Sequence, residues 1–215
     1  MPPRPYSAPL VRDNGPMLGV VNADAVGRAE LEIGAIGCRS ALVLGGARSG
    51  KSAYALALAE RAAPQRLFLA TAEPFDEEMA ARVARHQAER SAGWTTREVP
   101  LALTASLAQE ARQGRIVLVD CLTLWLNNLL YRGEEPGAAL SGLCGAIARL
   151  SGPAIFVSNE VGWGLVPETK LGRDFRDWQG RVNREVAAAC DAVVLVTAGL
   201  ARALKPGSEP TLRMV

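Results

Sequence analysis

The sequence of 215 residues predicts a three-layer α/β fold with a mainly parallel central sheet. Two observations lead to this prediction. From position 40 onwards, short and nearly continuous apolar runs alternate with longer stretches typical of helices. Strands that are apolar on both faces belong to parallel sheets, because the crossover helices cover both sides. Apolar residues also make up 49 % of the chain, enough to bury such a core.

The elements follow one another in a regular order. Strands are predicted at six places, over residues 41–44, 67–71, 95–99, 116–120, 155–158 and 193–197. Helices are predicted over about 51–62, 76–90, 101–112 and 122–130, from the loop 133–137 to about 150, and over 171–186. There is no internal repeat. One α/β domain over residues 41–215 is therefore expected.

A glycine-rich motif stands between the first strand and the first helix. It fits G-x-x-x-x-G-K-[ST] at every position and consists of Gly45, Gly46, Ala47, Arg48, Ser49, Gly50, Lys51 and Ser52. In such a P-loop, glycines let backbone N–H groups approach phosphate oxygens, the lysine reaches the β- and γ-phosphates, and the hydroxyl ligates Mg²⁺. The alternative is a glycine-rich turn that contains a lysine by chance. Because strand and helix flank the motif correctly, the fold is predicted to be of the P-loop NTPase type.

Asp120 ends the predicted strand 116–120. A carboxylate at this place in a P-loop fold is typical of a residue that holds the metal, together with the loop hydroxyl of Ser52. The alternative is an N-cap for the helix that begins near residue 122, and the two roles are compatible.

Charge and cysteine usage exclude several classes of protein. The chain has 24 basic and 22 acidic residues, a net charge of +2, which gives no electrostatic case for a nucleic-acid or anionic-membrane partner. No apolar run approaches the roughly 18–20 residues of a membrane span. The four cysteines are far apart, in neither a zinc pattern nor a disulfide framework, so a reducing cytoplasm is the expected location.

Residues 1–40 show no clear period. Five prolines interrupt them, at positions 2, 3, 5, 9 and 16, and residues 20–35 are compatible with either a short helix or a strand. The expectation is a proline-containing leader that is disordered, or a start codon assigned upstream of the true one.

The chain contains a single histidine, His86, which excludes any site built from several histidines. It lies on the predicted helix 76–90, with Arg82 and Arg90 one turn away on either side. Two nearby cations favour a neutral, nucleophilic imidazole and attract phosphate. The alternative is a partly buried helix histidine that packs beside Met79 and Val83.

Four blocks together resemble the bifunctional adenosylcobinamide kinase / adenosylcobinamide-phosphate guanylyltransferase family of cobalamin biosynthesis. In order they are GGARSGKS, ATAEPFDEEMAARVARHQAER, VLVDCLTLWLNNLL and SNEVGWGLVPETKLGRDFRDWQGRVNREVA. The resemblance covers about residues 41–204 and implies a P-loop kinase/guanylyltransferase domain over 41–215. It does not extend to residues 1–40.

The resemblance implies site residues. A family histidine that takes GMP from GTP as a phosphoramidate corresponds to His86, and Lys51 is the implied catalytic lysine of the loop. Implied GTP contacts outside the loop are Ala70, Thr71, Ala72, Gln87, Ala88, Glu89, Arg90, Glu98 and Asp120. Glu98 is also compatible with an ordinary exposed strand glutamate, since its surroundings form a weak motif. Ser52 and Asp120 are the implied Mg²⁺ ligands.

The last block begins at a strand end, where open α/β sheets bind ligands. The helix after it carries an apolar stripe, which predicts a core-facing or subunit-facing surface. Its arginines lie off this stripe and read as a solvated, ion-paired face; the family instead offers subunit contacts and an acceptor cleft there. The stripe is Leu171, Phe175, Trp178, Val182 and Val186, and the arginines are Arg173, Arg176, Arg181 and Arg184.

The resemblance implies two reactions. Adenosylcobinamide would take the γ-phosphoryl group of ATP or GTP, and its phosphate would then take GMP from GTP through a guanylyl-histidine, giving adenosylcobinamide-GDP. The implied assembly is a homo-oligomer, a trimer in the family. Two rivals stay open: a plain P-loop kinase with a structural His86, and a nucleotide-dependent switch, although the N-K-x-D guanine signature is absent.

Overall fold

The computed structural model describes residues 31–33, 36–73 and 93–207. It begins with an antiparallel pair, β1 (Leu31–Ile33) and β2 (Ile36–Cys38). This pair lies within the segment expected to be a leader. Residues 1–30 are outside the described residues, so the leader and the domain boundary at 41 stay predictions.

Seven further strands form one sheet. They are β3 (Ser40–Gly45), β4 (Gln65–Ala70), β5 (Trp94–Glu98), β6 (Arg115–Asp120), β7 (Ala154–Asn159), β8 (Ala192–Thr197) and β9 (Leu200–Lys205). Their order across the sheet is β5-β4-β6-β7-β3-β8-β9. Every neighbouring pair is parallel except β8 with β9. The predicted mainly parallel sheet is confirmed, and each of the six predicted strands is present within one or two residues of its expected ends.

The described part of the chain contains five helices. They are α1 (Lys51–Ala62), α2 (Leu103–Glu110), α3 (Leu122–Tyr131), α4 (Pro136–Ala148) and α5 (Lys170–Ala189). α1 ends just before Pro64, because the residue before a proline is disfavoured in the helical region. The helix predicted over 76–90 lies outside the described residues. None of the helices in the described ranges combines the length and the apolar character that crossing a bilayer requires.

The sheet separates two apolar cores because successive strand side chains point to opposite faces. On one face, residues such as Val43 and Leu118 pack against α1. On the other, Leu42 and Phe156 pack against α2, α3, α4 and α5. Side chains of both sets are almost entirely buried. The three-layer α/β fold is therefore confirmed.

β9 is the strand of the seven-stranded sheet that the sequence analysis missed. It is an exposed edge strand, and its alternation of Leu, Ala, Arg and Lys is not an apolar run. A two-residue turn, Ala198 and Gly199, joins it to β8. Both turn residues have positive φ, 51° and 79°, as the turns that match strand twist in two-residue hairpins require. Pairing with β8 therefore depends on the turn.

Candidate functional site

The carboxyl edge of the parallel strands brings the predicted site residues together. The register aligns Ala70 on β4 with Glu98 on β5 and with Asp120 on β6. Farther along the same edge, Gly45 on β3 aligns with Asn159 on β7 and Val196 on β8. β7 thus separates the strand that feeds the loop from the strand that ends in Asp120. Ligands of open α/β sheets bind at this edge.

The phosphate loop, Gly45–Ser52, joins β3 to α1. Arg48 and Gly50 have positive φ, 57° and 94°, and turns of this type form concavities lined by N–H groups that bind anions. Lys51 is 8 % exposed, and its Nζ donates a hydrogen bond of 3.0 Å to the carbonyl oxygen of Gly46. The ammonium group is therefore held at the loop itself, where it can meet phosphate oxygens.

The first glycine of the loop has no room for a side chain. A Cβ on Gly45 would lie 2.4 Å from Ser49 Oγ and 2.6 Å from the carbonyl oxygen of Val196. Ser49 Oγ is buried and finds no hydrogen-bond partner among the described residues. The backbone of the loop is thus packed directly against β8, and one hydroxyl inside it is left with unused bonding capacity.

The turn between β8 and β9 supports the loop from the other side. Gly199 N donates a hydrogen bond of 2.8 Å to the carbonyl oxygen of Ser49. A Cβ on Gly50 would meet Gly199 Cα at 3.4 Å. The sequence analysis did not predict this contact. The pattern that could have indicated a turn here is the glycine that follows a predicted strand.

Thr71 fixes the residue that follows Asp120. Its hydroxyl donates a hydrogen bond of 2.7 Å to the carbonyl oxygen of Cys121 and accepts one of 2.8 Å from Cys121 N. The carbonyl oxygen of Thr71 accepts a bond from Asn128 Nδ2 at 2.8 Å. Thr71 is completely buried. Its side chain therefore orients the end of β6, and this positions Asp120 at the edge.

The charges near the end of β6 affect the pKa of the Cys121 thiol. Burial first, and then the charge of Asp120, raise the pKa of its thiol to about 12, while backbone N–H groups and the charge of Lys51 oppose the shift. The charges of Asp120 and Lys51 thus act on the pKa of this thiol in opposite directions. The two groups that the sequence singled out for phosphate and metal chemistry lie in one neighbourhood.

The remaining predicted residues fall into three groups. Ala70 is buried at the end of β4, and Ala72 is half-buried just after it. Glu98 is exposed at the end of β5, on the far side of β4 from Asp120. The other predicted residues, His86, Gln87, Ala88, Glu89 and Arg90, lie outside the described residues. Their roles stay predictions.

A buried cluster of polar side chains lies under the end of β7. We call Ser158, Gln179 and Asn183 the amide cluster. Ser158 Oγ donates to Asn183 Oδ1 at 2.6 Å, and Gln179 Nε2 donates to both, at 2.9 Å each. None of the three is more than 6 % exposed. The sequence analysis did not predict the amide cluster. The pattern that could have indicated it is a pair of amide side chains one helical turn apart beside the apolar stripe of α5.

The apolar stripe of α5 is confirmed in part. Val182 and Val186 are fully buried, and Phe175 and Trp178 pack against the same core, but Leu171 is 70 % exposed. The exposed face of α5 carries two ion pairs, Lys170 with Asp174 and Arg181 with Glu185.

The donor set at the edge fits Mg²⁺. Ser52, half-buried at the start of α1, and Asp120 offer a hydroxyl and a carboxylate oxygen, the hard ligands that this ion prefers. Within the described ranges no three His, Cys, Asp or Glu residues are grouped as a metal cage. Mg²⁺ commonly binds through one or two carboxylates plus substrate phosphates, so such a sparse donor set suits it.

Comparison with known proteins gives a consistent result. The model of a family described as cobinamide kinase / cobinamide phosphate guanyltransferase matches residues 41–204. The bifunctional adenosylcobalamin biosynthesis protein CobP of Pseudomonas aeruginosa is 45 % identical over 166 residues, which are 76 % of this chain and 96 % of that protein. The corresponding protein CobU of Salmonella typhimurium is 40 % identical over 179 residues, 76 % and 98 % of the two chains.

Solved structures support the fold alone. The type III secretion ATPase EscN of enteropathogenic E. coli matches with a TM-score of 0.53 at 14 % identity, over 89 % of this chain. The present chain spans half the length of that ATPase. A second type III secretion ATPase gives the same TM-score at 15 % identity, with 88 % of this chain and 59 % of that one covered.

Proposed function

This chain belongs to the cobinamide kinase / cobinamide phosphate guanyltransferase family, and from that premise we propose the two reactions that it performs. The enzyme phosphorylates adenosylcobinamide with a nucleoside triphosphate. It then transfers GMP from GTP to adenosylcobinamide phosphate through a guanylyl-histidine on His86, giving adenosylcobinamide-GDP. The observation that carries the proposal is that the phosphate loop and Asp120 lie at the same carboxyl edge of a parallel sheet.

In the kinase step, charge develops on the phosphoryl oxygens during transfer. Lys51 and the N–H groups of the phosphate loop stabilise that charge, because they are already in place and need no reorganisation. Thr71 holds the end of β6 so that Asp120 is kept at the site. Ser52 and Asp120 would hold Mg²⁺, which neutralises negative charge on the nucleotide phosphates when it is bound.

In the guanylyl step, His86 attacks the α-phosphorus of GTP and pyrophosphate leaves. Adenosylcobinamide phosphate then takes GMP from the histidine. Division of the transfer into two displacements predicts ping-pong kinetics. The predicted contacts for this GTP are the phosphate loop, Ala70–Ala72, the residues Gln87–Arg90 that follow the histidine, Glu98 and Asp120.

A homo-oligomer, a trimer as in the family resemblance, is part of the proposal, and so is a cytoplasmic location. Exposed apolar side chains before and at the start of α5 support subunit contacts: Trp163 is 78 %, Leu165 97 % and Leu171 70 % exposed. Light scattering on the purified protein measures the mass directly. A mass of one chain at micromolar concentration would contradict the oligomer.

The kinase step is tested with ATP or GTP labelled at the γ-phosphate. Wild type should transfer the label to adenosylcobinamide. Lys51→Ala should reduce the rate by about 100-fold or more, because a preorganised charge is lost at the transition state. If the protein were a nucleotide-dependent switch, wild type would hydrolyse GTP slowly. Adenosylcobinamide would then stay unlabelled with wild type as well as with Lys51→Ala.

A further inference from the structure

Glu160 follows the last residue of β7 and touches the phosphate loop through its backbone. Its N–H donates a hydrogen bond of 3.1 Å to the carbonyl oxygen of Gly45. The residue is half-buried. The sequence analysis gave this glutamate no role, although it belongs to the block SNEVGWG at the strand end.

The carboxylate of Glu160 is held by the amide cluster. Asn183 Nδ2 donates to Glu160 Oε1 at 2.9 Å and to the carbonyl oxygen of Asn159 at 3.0 Å. Asn183 Oδ1 in turn accepts from the fully buried Ser158 and Gln179. The bonds within the cluster fix the rotamer of Asn183, while Gln179 Oε1 is buried without a hydrogen-bond partner among the described residues. The cluster thus aims one donor at one carboxylate.

A groove of about 600 Å³ is lined by residues of α5, β8 and β9, and Glu160 and Asn183 belong to its lining. Its apolar walls include Leu44, Ala187 and Leu204, and the charged residues of the lining are Glu160, Arg184 and Lys205. Leu44 immediately precedes the phosphate loop in the chain, and the Glu160 N–H contacts Gly45 of that loop, so the groove lies next to the loop. A mostly apolar groove whose lining includes a carboxylate suits an alcohol carried on an apolar arm.

We propose that Glu160 is the general base of the kinase step and that the groove admits the hydroxyl-bearing arm of the acceptor. This inference rests on the proposed kinase function. A Glu160 carboxylate oxygen accepts the proton of the acceptor hydroxyl. The alcohol oxygen forms a bond to the γ-phosphorus, the bond between that phosphorus and the β–γ bridging oxygen breaks, and the nucleoside diphosphate leaves. Asn183 acts as a positioning residue for the carboxylate.

Guanylylation of His86 uses a different nucleophile and a different phosphorus, so it does not require this base. Two labels therefore separate the roles in one protein preparation. Label from the γ-phosphate of GTP reports phosphoryl transfer to adenosylcobinamide. Label from the α-phosphate that stays on the protein reports an intact nucleotide site and the histidine chemistry.

The test compares wild type with Glu160→Gln, which keeps the size of the side chain and removes its basicity. We expect kcat for phosphoryl transfer to fall by about 100-fold or more, with the KM for GTP and the α-label on the protein within about twofold of wild type. Glu168→Gln is the matched control, because it changes an exposed glutamate in the same loop; it should behave as wild type in both assays.

Two results would overturn the assignment. If Glu160→Gln transfers phosphate at a rate within about threefold of wild type, Glu160 is not the general base. If Glu160→Gln loses both the γ-label on adenosylcobinamide and the α-label on the protein, Glu160 has a structural role and is not a general base. Wild type that transfers no phosphate to adenosylcobinamide would overturn the proposed kinase function and this inference with it, whereas an active wild type with an active variant overturns the inference alone.

Discussion

The two sides of the carboxyl edge are constructed in different ways. On the nucleotide side, the phosphate loop relies on backbone: Gly45 is packed too closely for a side chain, and the Gly199 N–H supports Ser49. On the side that we propose for the acceptor, side chains do the positioning: Asn183 of the buried amide cluster donates a hydrogen bond to Glu160. A backbone site tolerates only glycine at its tightest point, whereas a side-chain site depends on a network in which each member orients the next.

This difference has a functional meaning. Phosphate groups are the same in every nucleoside triphosphate, so a backbone cradle that is independent of side-chain chemistry suits them. An acceptor hydroxyl needs one correctly placed carboxylate, which a backbone cannot supply. Substitutions on the two sides should therefore fail differently: damage to the loop stops both reactions, and damage to the amide cluster stops phosphoryl transfer alone.

The largest effect is expected for Gly45→Ala. The added methyl group would lie 2.4 Å from Ser49 Oγ and 2.6 Å from the Val196 carbonyl oxygen, so the loop must move. Both reactions should slow by about 100-fold or more, because a small misplacement of reacting groups is sufficient for that loss. Initial rates with γ-labelled and α-labelled GTP measure the two reactions.

Gly46→Ala is the control for the fold, since a Cβ there meets nothing within 4 Å. Chemical denaturation should show Gly45→Ala about 1–3 kcal/mol less stable than wild type and Gly46→Ala essentially unchanged. If the two alanine variants were equally stable, the close packing of Gly45 would be contradicted.

The next effect is expected for Asn183→Asp. The new side chain cannot donate to Glu160 and places a second carboxylate beside it. The kcat of phosphoryl transfer should fall by about 10-fold or more, with the KM for GTP and the α-label on the protein little changed. Asn127→Asp changes an exposed asparagine of α3 and should leave all three quantities at wild-type values. Equal losses in both reactions would show that the cluster serves the fold and not the acceptor side.

A smaller effect, on stability, is expected for Thr71→Val. The substitution keeps the shape but leaves the backbone N–H and the carbonyl of Cys121 without their partner. Urea unfolding should show a loss of about 2 kcal/mol. Thr95→Val, at an exposed position of β5, should lose far less. Wild-type stability in Thr71→Val would contradict the role assigned to its hydroxyl.

The smallest effect concerns pH and Cys121. Its folded pKa is about 12 against an ordinary value of 9.0, so its contribution to stability is fully present below pH 9 and is lost as the pH rises through the window from 9 to 12. Between pH 9 and pH 10, wild type should lose about 1 kcal/mol more stability than Cys121→Ala. Parallel stability curves for the two proteins would contradict the raised pKa of the Cys121 thiol.

The same contrast explains what the sequence could predict. The phosphate loop is a contiguous motif, and its flanking strand and helix were predicted within one or two residues. The amide cluster joins Ser158 to Gln179 and Asn183 across the loop before α5, so no local pattern contains it. β9 was not predicted because an exposed edge strand needs no apolar run. Its pairing with β8 depends on the turn at Ala198 and Gly199.

The central claim is that one nucleotide site serves two chemistries, one of which proceeds through the only histidine of the chain. The most direct test incubates wild type and His86→Asn with GTP labelled at the α-phosphate, then with adenosylcobinamide phosphate. Wild type should carry a label that is acid-labile and base-stable and that the acceptor discharges, while His86→Asn carries none and still phosphorylates adenosylcobinamide. If His86→Asn is labelled as well as wild type, the claim is contradicted.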